Sequence, residues 1–152
     1  MTGSPEETRA LGTVLGEALQ GGEIVLLIGQ LGAGKTTLTQ GLAVGLGVDG
    51  YTKSPSFVLL NEYQGRVPLY HLDLFRIDTP EEVWDLGIDE YLNGPGVTAI
   101  EWADRAREAF PTDALVVEIH PIGEEERRVE IGGNGPASEE AVRRAQKKWS
   151  TR

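Results

Sequence analysis

The chain of 152 residues contains no cysteine. That excludes disulfides, thiolate metal sites and a cysteine nucleophile, and it fits a cytoplasmic protein. Histidine is nearly as scarce: with only His71 and His120 present, no metal-ligand cluster emerges from the spacing. Long hydrophobic runs are missing too. The longest purely apolar stretch, residues 24–28, falls far short of the roughly 20 residues that a bilayer helix needs. The N-terminus lacks a basic start followed by an apolar run, so neither a membrane span nor export is expected. Positive charge is in deficit as well. Fourteen Lys and Arg face 24 Asp and Glu, and the net charge of -10 argues against a broad surface tracking nucleic-acid phosphates. The basic residues are unevenly spread. Residues 138–152 hold Arg143, Arg144, Lys147, Lys148 and Arg152 against Glu139 and Glu140, a local balance of +3 that leaves -13 for the remainder. That tail can meet an acidic partner or RNA, although a solvated helix face is the simpler reading.

What is present describes one ordinary globular domain: 39% hydrophobic and 25% charged residues, no fixed-period repeat and no Pro/Ser-rich linker. Ser4-Pro5-Glu6-Glu7 is a capped helix start, followed by Leu11, Val14, Leu15, Ala18 and Leu19 at helical spacing and stopped by Gly21-Gly22. Residues 23–28 suit a strand buried on both faces, and residues 36–46 return to helical periodicity. Residues 54–63 and 67–74 predict a hairpin about Gln64-Gly65-Arg66, and residues 114–120 and 127–131 a second one. Thr79-Pro80-Glu81-Glu82 starts a helix with Trp84 in its core-facing set, residues 97–100 form another buried strand, and residues 104–110 a short helix. A glycine-rich loop at residues 132–136 delivers a last helix capped by Ser138. Buried strands mixed with helices imply an α/β sandwich, divided into a domain at 1–136 and a basic helical extension at 137–152.

Gly29-Gln30-Leu31-Gly32-Ala33-Gly34-Lys35-Thr36 lies between the first buried strand and a helix. Phosphate binding needs several backbone N–H groups converging on an anion, and side chains would obstruct that approach. Here glycines open the turn, the amides of Leu31, Gly32, Ala33, Gly34, Lys35 and Thr36 point inward, and the helix adds its positive dipole end. Lys35 can neutralise phosphate charge, the Thr36 hydroxyl can join a Mg²⁺ shell, and Thr37 can contact the α-phosphate. A nucleoside triphosphate with Mg²⁺ is therefore the expected cofactor.

Such a site also needs a carboxylate from the C-terminal end of a neighbouring strand. Glu101 and Asp73 both qualify. Glu101 follows the more uniformly apolar run and is assigned to Mg²⁺, with Asp73 orienting the attacking water or holding a γ-phosphate-sensing loop; the two roles are interchangeable at this stage. Trp102 can stack on a base or cover phosphates. His71 packs or hydrogen-bonds, and His120 has no partner visible in sequence.

Gly32-Ala33-Gly34-Lys35-Thr36-Thr37, Ser54-Pro55-Ser56-Phe57, Tyr70-His71-Leu72-Asp73-Leu74-Phe75-Arg76 and Ile100-Glu101-Trp102 occur in the order found in the TsaE (YjeE) family. The resemblance runs from the first helix to about Ile131. It implies a P-loop NTPase fold, a three-layer sandwich with a mainly parallel central sheet. It also implies a weak, partner-stimulated, Mg²⁺-dependent ATPase that acts with the TsaB–TsaD complex in forming threonylcarbamoyladenosine in tRNA, touching tRNA only indirectly. On that resemblance Lys35 and the loop amides hold phosphates, Thr36 and Glu101 hold Mg²⁺, Asp73 is essential to hydrolysis, Trp102 contacts the nucleotide, and residues 54–57 resemble a switch. The chain departs from the family in carrying Ser56 where threonine is common, and its basic tail extends beyond the match. Arg127 and Arg128 both fall near a basic family position on a hairpin, and the sequence does not choose between them.

Three other functions fit a phosphate loop. A P-loop small-molecule kinase would need an arginine-bearing lid, for which Arg105 and Arg107 are the clustered candidates. A GTPase is disfavoured: none of the seven aspartates starts D-x-x-G, and N-K-x-D is absent. A regulatory module would use nucleotide only as a conformational ligand.

Overall fold

A computed structural model of the chain describes residues 2–29, 34–48, 60–73, 92, 94–101 and 113–151. Helices α1 (Pro5–Ala18), α2 (Lys35–Gly45) and α3 (Pro136–Thr151) accompany strands β1 (Ile24–Gly29), β2 (Leu60–Tyr63), β3 (Leu69–Asp73), β4 (Val97–Glu101), β5 (Leu115–Pro121) and β6 (Arg127–Gly133). The strands form one sheet in the order β2-β3-β4-β1-β5-β6. β3, β4, β1 and β5 run parallel, and the two flanking strands are antiparallel. Both expected hairpins are thus present, as the outermost pairs of the sheet. The first segment of the β2 hairpin, residues 54–59, and the helices expected from Thr79 and over residues 104–110 lie outside the described residues.

Burial follows position in the sheet. β4 is buried throughout, and β1 along its first four residues, as parallel strands covered on both faces must be. β5 and β6 alternate instead, with one face in the core. Val25, Leu27, Ala99, Val117 and Ile119 share the face on which Leu15, Leu38, Leu42 and Ala141 pack; Leu26, Leu72 and Ile100 are equally buried on the opposite face.

α1 and α2 meet backbone to backbone. Gly12 and Gly16 on α1 face Gly41 and Gly45 on α2, and a methyl group placed on Gly41 would lie 2.0 Å from the Arg9 carbonyl oxygen, one on Gly12 2.2 Å from that of Leu38. Both pairs are spaced i, i+4, so each lines one helix face. This close approach fixes the helix that follows the glycine-rich loop.

Helix ends are secured from a distance. Ser4 caps α1 as expected, accepting from the Glu7 amide at 3.2 Å. At its other end, Arg66 from the turn of the first hairpin donates to the Leu19 and Gly16 carbonyls, each at 2.9 Å. α3 starts at Pro136, two residues before the expected cap. Ser138 is inside its first turn, and the Asp113 carboxylate accepts from the Ala137 and Ser138 amides at 3.2 and 2.9 Å. α3 is also tied to the body of the fold: Ala141 and Ala145 enter the core, and Arg144 donates to the Ala18 carbonyl and Glu23. Arg144 is therefore a packed residue of the tail, not part of a solvated face.

Two outcomes follow. Gly41→Ala should cost about 1–3 kcal/mol by forcing the helices apart, lowering the melting temperature by roughly 3–10 °C; an unchanged melt would contradict the close packing. The Ser138 side-chain hydrogen bond, followed by those from the Ser138 and Ala137 amides, holds the Asp113 carboxyl below the usual carboxylate range. A depressed folded value stabilises above the unfolded value and is lost as pH falls through the folded one. Asp113→Ala should therefore melt earlier than the parent at pH 7, and the gap should close below about pH 4, as read by thermal melts across pH.

Candidate functional site

β1 ends at Gly29 and α2 begins at Lys35, the strand–loop–helix order that the glycine pattern predicts. Leu31, Gly32 and Ala33 lie outside the described residues. Gly34 caps α2 with φ 110° and ψ 13°, a left-handed backbone that penalises any residue with a Cβ. Lys35 is only 5% exposed. Its Nζ reaches back to donate to the Gly29 carbonyl at 2.8 Å, so the ammonium spans the two ends of the loop. Thr36 is exposed and Thr37 partly buried in the first turn. That turn, Lys35 to Leu38, carries no acidic side chain of its own, so its dipole end is not offset from within the helix.

Parallel pairing brings the acids to the same edge. Asp73 registers with Glu101, and Glu101 with Leu27, two residues before Gly29. Register partners project to one face, and that of Leu27 is the face packed by α1 and α2. Glu101 therefore belongs to the α2 side of the sheet. The side chain of Asp73, and Trp102 and Ser54 to Phe57 entirely, fall outside the described set.

Glu101 is 4% exposed, and its Oε2 lies 2.6 Å from Nε2 of His71, which is fully buried. With Glu101 ionised, as a metal ligand must be, the carboxylate only accepts and Nε2 is the donor. Removing a carboxylate from water costs several kcal/mol unless hydrogen bonds compensate, and the imidazole supplies one. The oxygen donors of Glu101 and Thr36 are the chemistry that Mg²⁺ prefers, so these residues fit a divalent cation. In the sequence His71 was a packing or hydrogen-bonding residue; the fold makes it the partner of the proposed metal acid.

The structure also separates the two arginines. The Nε of Arg127 lies 3.7 Å from where a Cβ on Gly34 would sit, and Arg127 lines a small cleft with Pro5, Thr8, Gly34, Thr37 and Glu125. Its Nη1 donates to the carbonyls of Gly123, Glu124 and Glu126, at 3.2, 3.4 and 2.8 Å. Its backbone exchanges two 2.8 Å hydrogen bonds with Thr2. Arg128 is exposed and pairs with Glu130 at 3.4 Å.

A family model described as "Threonylcarbamoyl adenosine biosynthesis protein TsaE" matches residues 2–129. The chain belongs to the TsaE family. It is similar to the tRNA threonylcarbamoyladenosine biosynthesis protein TsaE of Bacillus subtilis, 42% identical over 129 residues that cover 84% of this chain and 80% of the relative. With that of Treponema pallidum it is 38% identical over 128 residues, covering 84% and 95%. A crystal structure of Bacillus subtilis YdiB superposes with a TM-score of 0.82 at 36% identity, covering 96% of this chain and 91% of that one. These matches and the sheet agree on a P-loop NTPase fold.

One further reading of this TsaE chain changes with the fold. His120, without a partner in sequence, has Glu118 at 3.5 Å and Glu130 at 3.9 Å, and the three offer ligand atoms within 4.8 Å of one another. The signal was the hairpin register, which sets Glu118 opposite Glu130. All three side chains are more than 40% exposed and Arg128 already joins them, so we describe the group as a surface ion-pair network of small energetic weight.

Proposed function

We propose that this chain binds ATP with Mg²⁺ and hydrolyses it slowly on its own, in the service of threonylcarbamoyladenosine formation in tRNA alongside TsaB and TsaD. The observation that carries the reading is the buried Lys35 ammonium held across the ends of a Gly29-to-Gly34 loop, on the first turn of a helix, beside a strand ending in Glu101. Membership of TsaE supports this use of the site over phosphoryl transfer to a metabolite.

On this reading the loop amides and Lys35 bind the β- and γ-phosphates, and Thr36 with Glu101 would hold Mg²⁺, which when bound supplies charge neutralisation at the phosphates. Asp73 orients water for attack on the γ-phosphorus; the bond to the β,γ-bridging oxygen breaks, giving ADP and inorganic phosphate. Trp102 contacts the nucleotide. Arg127, anchored by the hairpin carbonyls, faces the loop at Gly34 and stabilises charge on the transferring group. The partners supply what the isolated chain lacks for fast turnover.

Lys35→Ala should weaken ATP binding on the order of 100-fold, because clustered phosphate charge loses its nearest cation; calorimetry giving the parental affinity would remove that role. Reconstitution with TsaB, TsaD and tRNA should show phosphate release and multiple rounds of modification that depend on this chain and are lost in Glu101→Ala. Full activity of that variant, or a phosphorylated small molecule in place of free phosphate, would overturn the proposal. In the same assay Arg127→Ala should reduce turnover about tenfold or more, while Arg128→Ala should stay within about twofold of the parent. Equal effects at the two positions would refute the choice of Arg127.

A further inference from the structure

We infer that His71 is a positioning residue that sets the orientation of the Glu101 carboxylate toward a divalent cation. The inference rests on reading Glu101 as the metal acid and adds a residue that nothing in the phosphate-loop pattern calls for. His71 registers with Ala99 on the neighbouring parallel strand, so Glu101, two residues further on, lies diagonally across and on the same face. The imidazole bridges that diagonal and donates from Nε2 to Oε2. A glutamate at a strand end has three rotatable side-chain bonds and many orientations. Fixing one oxygen with a buried, planar donor removes most of them and fixes the plane in which the carboxylate presents its lone pairs.

A merely structural histidine would be expected to satisfy its ring nitrogens wherever the core offers an acceptor. Here the acceptor is the one buried acid at the C-terminal end of β4, in register with Asp73 and one strand from the loop-bearing β1. Partners behind a metal-binding carboxylate act on the metal: losing one typically lowers metal affinity 10–100-fold. Such a loss need not touch the contacts to phosphate made by Lys35 and the loop amides.

The test is binding of Mn²⁺ to the complex of the full chain with ADP, followed by electron paramagnetic resonance, beside calorimetry of ADP without metal. His71→Phe keeps a ring of similar size and deletes the donor; it should weaken Mn²⁺ binding about 10–100-fold while leaving metal-free ADP affinity within about twofold. His71→Gln places an amide donor near the position of Nε2 and should restore most of the loss. If His71→Phe does not fold, the contrast becomes His71→Gln against His71→Asn, whose amide stops one carbon short of Glu101: Gln should retain Mn²⁺ and Asn should lose it. Parental Mn²⁺ affinity in a folded His71→Phe, or equal affinities of Gln and Asn, would overturn the inference. Glu101→Gln separates the two levels. Its loss of Mn²⁺ with a silent His71→Phe removes only the positioning role, whereas no loss in either variant removes the metal-acid reading itself.

Discussion

The parallel register of β3, β4 and β1 is the constraint on which the candidate site depends. Each strand is hydrogen-bonded to its neighbour so that Asp73, Glu101 and Leu27 stand side by side, with Gly29 just beyond. Because strand side chains alternate, a one-residue shift of β4 against β1 would turn Glu101 away from α2, and one of β3 against β4 would part it from His71. The continuous burial of β3 and β4 resists such a slip. It would move the fully buried Leu69 and Val97 out of the cluster they share with α1 and α2 and set Tyr70 and Thr98 in their place. Hydrophobic packing thus specifies a polar site by fixing parity.

A second constraint acts on the helix. α2 must present Lys35 and its first-turn amides at the edge where β1 and β4 end, and it is held there by the glycine contact with α1. α1 in turn is fastened by Arg66 at its C-terminus, and α3 by Asp113 and Arg144. The C-terminal helix beyond the family match consequently belongs to the same packed body as the loop.

The legibility of these features in sequence follows the range of the interaction. Local chemistry was visible: the strand and helix flanking the glycine-rich loop, the Ser4 cap, both hairpins, and the buried strands before Asp73 and Glu101. Contacts that depend on register or on distant chain segments were not. His71 and Glu101 are 30 residues apart, and nothing in either neighbourhood states that their strands are adjacent and parallel. Asp113 replaced Ser138 as the cap because the glycine at position 135, where a cap is expected, has no side chain, and the substitute comes from 24 and 25 residues away. Arg127 and Arg128 are equivalent in a linear pattern. Alternation along β6 alone distinguishes them, sending one toward Gly34 and the other to Glu130.

Net charge explains why these polar contacts are arranged as they are. For a chain of -10 to hold the polyanion proposed above it must confine its positive potential, and carbonyls orient the described cations near the loop: Lys35 donates to that of Gly29, and Arg127 to three of the hairpin turn. A carbonyl orients a cation without cancelling its charge, which a carboxylate partner would do. Glu101, at the same edge, is hydrogen-bonded to the His71 imidazole. On the proposed function, the Lys35 ammonium serves phosphate and the Glu101 carboxylate serves a metal.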